Sequence, residues 1–275
     1  MIPSTIFPEE TNIHALRRRC AELEMELECL RITQQMRLRI AAEVHRSLLP
    51  DPVLHDRIWI DVRYVPVEEV GGDYCQVRFP EHSTCYVTMC DVVGHDIGAA
   101  LLATRISSEV RYGIMYRREP REIVDSLERF MAEYFSDTGM FLSFVAVRID
   151  LERMELTWSG AGHPSPLLMR PSEDKILHLT SQNPVIGLAL PGSEKFHQST
   201  VELKSGDRLF LFTDGLFEVL NAEQEPLGIA GLAEIVRSTG CGNLFEVADR
   251  VLNRVREYQF EPNNDDQTLI VAELR

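Results

Sequence analysis

The first fifty positions alternate apolar spacings of three and four, through Ile13, Leu16, Cys20, Leu23, Leu27 and Leu30. The rhythm continues through Gln34, Arg37, Ala41, Val44 and Leu48, where two members are polar, and Leu38 and Ile40 shift the stripe. Glu and Arg fill most other positions, and no Pro or Gly interrupts residues 9–49. This pattern predicts one long helix whose first half carries a coiled-coil seam. Two readings fit the seam: a dimerising coiled coil, or an amphipathic helix packed on its own domain. Polar Gln34 and Arg37 weaken the seam there, which suits a joint that rearranges. Pro50 and Pro52 end the helix, because proline and the residue before it resist helical geometry. The chain is therefore read as a regulatory or dimerisation helix over 1–50 and a folded domain over 51–275.

Beyond Pro52 the period changes. Residues 57–65 alternate at Ile58, Ile60, Val62 and Tyr64, as a half-buried strand does. Residues 74–79 and 84–90 read as a hairpin around Pro80-Glu81-His82-Ser83. A helix is expected over 97–117, with Ile106 and Val110 on its buried face. Another starts at Pro120 and buries Ile123, Leu127, Phe130, Met131 and Tyr134. Strands follow over 141–150, 154–159, 166–169, 176–179, 199–203 and 207–213. Two helices come next, over 229–238 and 243–259, and a last strand over 268–273. Runs of strands separated by helix pairs indicate antiparallel sheets covered by helices, an α+β organisation rather than alternating β-α units.

Composition narrows the class. The chain has 275 residues, 44% of them hydrophobic, enough for a substantial core. The net charge is −15, and residues 1–50 balance seven acids with seven arginines, so the whole acidic excess lies in the second region. Such a surface repels nucleic acid and anionic lipid, and neither is expected as a partner. The six cysteines contain no Cys-x-x-Cys pair, which argues against zinc and redox motifs. No apolar run reaches membrane-spanning length, and the expected setting is the cytoplasm with reduced thiols.

Five aspartates stand in Gly-rich or polar turns: Asp73 after Gly71-Gly72, Asp91 after Tyr86-Val87-Thr88-Met89-Cys90, Asp214 after Leu209-Phe210-Leu211-Phe212-Thr213, and the pair Asp265-Asp266 before the last strand. Each has a plainer reading: a tight turn at Asp73, a hairpin at Asp214-Gly215, a solvated acidic loop at Asp265-Asp266. Together, carboxylates at strand ends suit a hard divalent cation, and adjacent carboxylates favour a cation or a donor between them. Asp96 is read as the cap of the helix at Ile97. Cys75 and Cys90 are poor nucleophiles beside carboxylates, which disfavour the thiolate.

The ordered series Gly-Gly-Asp-Tyr, Asp-Val-Val-Gly-His with Gly-Ala-Ala-Leu-Leu, Ser-Gly-Ala-Gly-His-Pro-Ser-Pro-Leu-Leu, Phe-Thr-Asp-Gly-Leu-Phe-Glu and Asp-Asp-Gln-Thr-Leu resembles the bacterial type-2C-like serine/threonine phosphatases of the SpoIIE/RsbU class, over about residues 44–275. Arg46-Ser47-Leu48-Leu49-Pro50 resembles the helix end that precedes the catalytic domain in that class. The resemblance implies a four-layer α-β-β-α sandwich of two antiparallel sheets. It also implies two Mn²⁺ or Mg²⁺ ions that activate a bridging water against phosphoserine or phosphothreonine. The implied ligands are Asp73, Asp91, the backbone carbonyl of Val92, Asp214 and Asp265, with Asp266 outside the first set. The implied substrate is a phosphorylated anti-sigma-factor antagonist. Control is expected through the N-terminal helix, by homodimerisation or by a separate upstream regulator. Rival readings are a hydrolase of small phosphate esters and a non-catalytic module on the same fold. The chain departs from the class at Asp96, where a glycine is usual, and at Cys75-Gln76, where many members carry a second acid. His163 is read as a structural hydrogen-bonder in its turn or a proton donor near the site. Residues 183–188 match a loop of the class, to which only packing is assigned.

Overall fold

The structure is a computed structural model that describes residues 8–67, 70–94, 97–188, 196–262 and 265–275. The chain divides into two compact units, Met1–Glu43 and Val44–Arg275. The helix α1 (Pro8–Arg46) runs from the first into the second. Along it Ile13, Leu16, Cys20, Leu23, Leu27 and Leu30 are all exposed. The helix closes before Pro50, in turns donated by the Leu48 and Leu49 amides to the His45 and Arg46 carbonyls.

The second unit contains two sheets whose strands all pair antiparallel. One has the order β1 (Val53–Leu54), β2 (Ile58–Val65), β11 (Gln267–Leu274), β10 (Arg208–Phe212), β7 (Leu167–Arg170), β8 (Lys175–His178). The other has the order β3 (Asp73–Glu81), β4 (Thr84–Val92), β5 (Leu142–Asp150), β6 (Glu155–Ala161), β9 (Ser199–Glu202). All the strands expected from the pattern are present; the two-residue β1 is additional. Helices α2 (Ile97–Met115) and α3 (Pro120–Tyr134) cover the five-stranded sheet, and α4 (Gly228–Thr239) and α5 (Leu244–Tyr258) cover the six-stranded one.

Side-chain alternation explains the four layers. On β4, Cys85, Val87 and Met89 face the space between the sheets, while Tyr86, Cys90 and Val92 face α2 and α3. On β10, Leu209 and Leu211 face inward, and Phe210 and Phe212 face α4 and α5. Central strands buried on both faces read as continuous apolar runs. Each fully buried Leu, Ile, Val or Phe contributes about 1.5–3 kcal/mol, so the inter-sheet layer is the main rigid element behind whatever its ends carry.

Two details differ from the pattern. Tyr134, expected on the buried face of α3, is 62% exposed; it ends the helix and leans on the Phe130 ring at 5.3 Å. On β2 the buried set includes Asp61, which the apolar alternation left on the solvent side. Its Oδ1 accepts from Arg63 at 2.5 Å, and Arg63 continues to Asp249 of α5 at 2.8 Å, so the ion pairs anchor β2 beneath that helix. Asp96 lies outside the described residues.

Candidate metal centre

The inner face of the sandwich is apolar through its middle and turns polar at one end. Asp73 and Asp91 are register partners on β3 and β4, and Asp91 is also opposite Ser143 of β5. Two residues inward from these three stand Cys75, Met89 and Val145, all in the inter-sheet core. The period of two therefore places Asp73, Asp91 and Ser143 on that same inward face. On the facing sheet, Thr213 and Thr268 continue the stripes of Leu209-Leu211 and Ile270-Ala272 in the same way.

The two sheets meet at Asp73. The Thr213 hydroxyl donates to Asp73 Oδ2 at 2.8 Å, and the Thr268 hydroxyl donates to the same oxygen at 2.5 Å. The Thr213 and Thr268 backbones pair as well, at 3.2 Å. These two threonines were not singled out in the sequence. Their signal is the period: each is the next inward position after an apolar stripe. The turn before Asp73 needs glycine, since a Cβ on Gly72 would stand 2.5 Å from the Val92 carbonyl oxygen.

Asp214 opens a 3-10 turn, Asp214–Leu216, directly after β10, and not the hairpin that Asp-Gly alone allows. Asp91, Asp214 and Asp265 line one cleft of about 350 Å³, together with Val93, Phe141, Ser143 and Val185. Asp73 is buried behind it beside Asp91. Asp266 turns elsewhere: its Oδ1 accepts from the Val67 amide at 2.9 Å, and its Oδ2 lies 3.5 Å from the Tyr64 hydroxyl.

Charge is concentrated here, and among the described residues no basic side chain lines the cleft. Burial raises the Asp91 carboxyl to about 7, and the charges of Asp214, Asp265, Asp266 and Glu218 add to that. Burial likewise raises Asp214 to about 6, helped by Asp265 and Glu218. Asp73 is pushed well above the carboxylate range by burial and by Asp91, against the pull of its two threonine donors. A group of carboxylates held together while disfavouring their own charge suits a positive occupant. The donor set is all oxygen, which matches Mn²⁺ or Mg²⁺ rather than softer metals. The carboxylates of Asp73, Asp91, Asp214 and Asp265 thus fit divalent cations, while the Val92 backbone, also expected as a ligand, is held against Gly72, whose carbonyl accepts from the Val92 amide at 3.3 Å.

Two nearby groups have other roles. His163 is buried, and its Nδ1 lies 2.8 Å from the Ser143 hydroxyl. Burial lowers its pKa to about 3, so the ring is neutral at pH 7, which favours the structural over the proton-donating reading. Cys75 and Cys90 are fully buried, and burial, with the charges of the adjacent aspartates, holds both thiols protonated. That disposes of a thiolate nucleophile at either position. Asn183 in the loop after β8 donates to the Ser159 hydroxyl at 3.0 Å and to the Gly160 carbonyl at 2.9 Å, a packing role at the rim of β6.

Comparison with known proteins agrees with this fold. The chain is 23% identical to the phosphoserine phosphatase RsbP of Bacillus subtilis (strain 168) over 251 residues, 89% of this chain and 59% of the relative. It thus spans about three fifths of that protein's length. It is 25% identical to the phosphoserine phosphatase RsbU of the same organism over 235 residues, 85% of this chain and 69% of the relative. Among solved structures, the SiaA-PP2C domain of Pseudomonas aeruginosa superposes with a TM-score of 0.78 at 21% identity, covering 89% of this chain and 98% of that domain. The sequence model of the family described as Stage II sporulation protein E (SpoIIE) matches residues 81–275, so the chain, with its two-sheet sandwich and the acidic cleft at the end of it, belongs to the SpoIIE family.

Proposed function

We propose that this chain is a metal-dependent protein serine/threonine phosphatase that hydrolyses phosphoserine or phosphothreonine on a folded partner. One observation carries the reading: Asp91, Asp214 and Asp265 meet in one cleft, with Asp73 buried beside Asp91, and burial and mutual repulsion raise Asp91 and Asp214. Two Mn²⁺ or Mg²⁺ ions held there would act as Lewis acids toward water and the phosphoryl group. The protein's own part is positional. The ladders from β3 through β5 fix Asp73 and Asp91, and Thr213 and Thr268 hold Asp73 in one orientation. Asp214 and Asp265 approach from the facing sheet. The acidic lining repels a phosphate unless cations are present, which makes turnover metal-dependent by simple electrostatics.

The proposed substrate is a phosphorylated anti-sigma-factor antagonist, and the proposed setting is a cytoplasmic partner-switching pathway. Two relatives named phosphoserine phosphatases support the chemical class. No helix among the described residues is long and apolar enough to cross a membrane. Regulation through the N-terminal helix is part of the proposal. The exposed stripe from Ile13 to Leu30 suits pairing with a second copy, giving a homodimer, or with an upstream regulator. Within the second unit, His45 is buried 5.7 Å from the Tyr64 ring, and the Tyr64 hydroxyl lies beside Asp266. That chain of contacts links the last turn of α1 to the aspartates.

The test is Mn²⁺-dependent phosphate release from a phosphorylated antagonist. Asp214→Asn is expected to lower the rate by more than roughly 100-fold, beyond the usual effect of outer-shell changes. Equal rates in the two proteins would refute the assignment. Deleting residues 1–45 is expected to change both oligomeric state and regulation; if neither moves, the helix is not the control element.

A further inference from the structure

At the opposite end of the sandwich a second group of metal-ligating side chains comes together. His55 and Asp56 form the turn between β1 and β2, and His82 sits in the turn of the β3–β4 hairpin. One ligand atom from each lies within 4.8 Å of the other two. His55 Nδ1 is 2.8 Å from Asp56 Oδ1, and His82 Nε2 is 3.6 Å from the same oxygen. A tetrahedral ion with bonds of about 2.0–2.2 Å holds its ligand atoms roughly 3.3–3.6 Å apart, so the His82–Asp56 separation already matches and the His55–Asp56 pair opens by about 0.5 Å to take the ion.

The environment of His55 fixes how the group would present itself to an ion. Its ring stacks on Phe79 at 4.9 Å and 15°, which fixes its plane. The Arg57 amide approaches Nδ1 at 3.2 Å, a contact that an ion bound at Nδ1 would displace. The Nε2 atom is buried with no hydrogen-bond partner among the described residues, which leaves Nδ1 as the nitrogen able to reach a ligand. Nδ1 and Asp56 Oδ1 lie 2.8 Å apart, the distance of a hydrogen bond when Nδ1 carries a proton, and a metal ion held by both atoms would take that proton's place. The His55 and His82 rings approach to 4.4 Å between centroids, which two imidazoles turned toward one ion would do.

We infer that His55, Asp56 and His82 form a second metal site, independent of the acidic cleft and of the reading given to it. Two imidazole nitrogens and one carboxylate oxygen select a borderline divalent ion such as Zn²⁺, with water completing the shell, rather than Mg²⁺. The ligands come from both sheets: the β1–β2 turn belongs to the six-stranded sheet and the β3–β4 turn to the five-stranded one. A bound ion therefore ties the two sheets together at the end remote from the aspartates, next to the segment that enters the domain from α1.

The experiment is a calorimetric Zn²⁺ titration with excess Mg²⁺ on the full chain carrying Asp214→Asn, alone and combined with His82→Asn or Asp56→Asn. Both of these side chains are exposed, so neither change removes core packing. The expected result is one equivalent of Zn²⁺ fewer in each combined variant, and a Zn²⁺-induced rise in melting temperature that the combined variants lose. Equal stoichiometry and an equal melting shift in all three proteins would overturn the inference, because exposed cysteines and the remaining aspartates are unchanged among them.

Discussion

The two ends of the inter-sheet layer are built alike and carry opposite chemistry. At each end, turns from both sheets converge on the mouth of the same apolar core. At one end the inward stripe gives way to Asp73, Asp91, Thr213 and Thr268, and the cleft is lined with oxygen donors. At the other it gives way to His55 stacked on Phe79, with Asp56 and His82 beside it. The frame sets where the groups meet, and the donor atoms decide which ion each end suits. Depth also differs. Asp73 is sealed under two hydroxyl donors, whereas Asp56 and His82 lie in open turns. The acidic end is therefore rigid and costly to assemble without its ions, while the imidazole end is cheap to assemble.

The largest effect expected from breaking this contrast is at Asp91. It is paired on both sides within its sheet, so Asp91→Asn should leave the fold intact and abolish phosphate release, a loss of more than roughly 100-fold. Circular dichroism alongside the rate assay checks both parts. Next is the clamp on Asp73. Thr268→Val removes one of two hydroxyl donors to a buried carboxylate. The expected costs are about 1–3 kcal/mol of stability and roughly 10–100-fold in rate. Denaturant unfolding and kinetics measure them, and Thr268→Ser should restore much of both.

A smaller effect concerns acidity. Asp91 and Asp214 have folded-state values near 7 and 6, above the ordinary 3.8. Between those limits the metal-free folded protein binds more protons than the unfolded chain. Its stability is therefore greatest below about pH 4 from these groups, and falls as pH rises toward about 7. Thermal melts in chelator should show that decline, and Asp91→Asn should flatten it and raise the metal-free melting temperature at neutral pH. A profile that is the same in both proteins would mean the carboxylates are not strained.

Much of the fold was legible because of burial on two faces. Strands β4, β10 and β11 carry the continuous apolar runs Cys85-Tyr86-Val87, Leu209-Phe210-Leu211-Phe212 and Leu269-Ile270-Val271-Ala272 since both sheets are covered by helices, and α3 and α5 carry a helical period, each against one sheet face. The two-residue β1 had no period to show, and Tyr134 ends its helix too late to be buried. Asp73, Asp91, Asp214 and Asp265 could be picked out as strand-end acids. Thr213 and Thr268 could not, because a threonine beside an apolar run is an ordinary strand residue until the facing sheet is in place. The orientation of Asp266, turned to Val67 and Tyr64, depends on a contact 199 residues away in sequence. His55, Asp56 and His82 escaped notice for the same reason: a His-Asp pair and a lone turn histidine gain meaning only when β2 and β3 lie on facing sheets.

The central claim is that the acidic end holds divalent cations through Asp73, Asp91, Asp214 and Asp265. Its most direct test is Mn²⁺ binding measured by calorimetry and by electron paramagnetic resonance, comparing the natural chain with Asp91→Asn. The account predicts saturable binding in the natural chain and its loss, or weakening by more than roughly 100-fold, in the variant. Equal Mn²⁺ affinity and stoichiometry in the two proteins would contradict it.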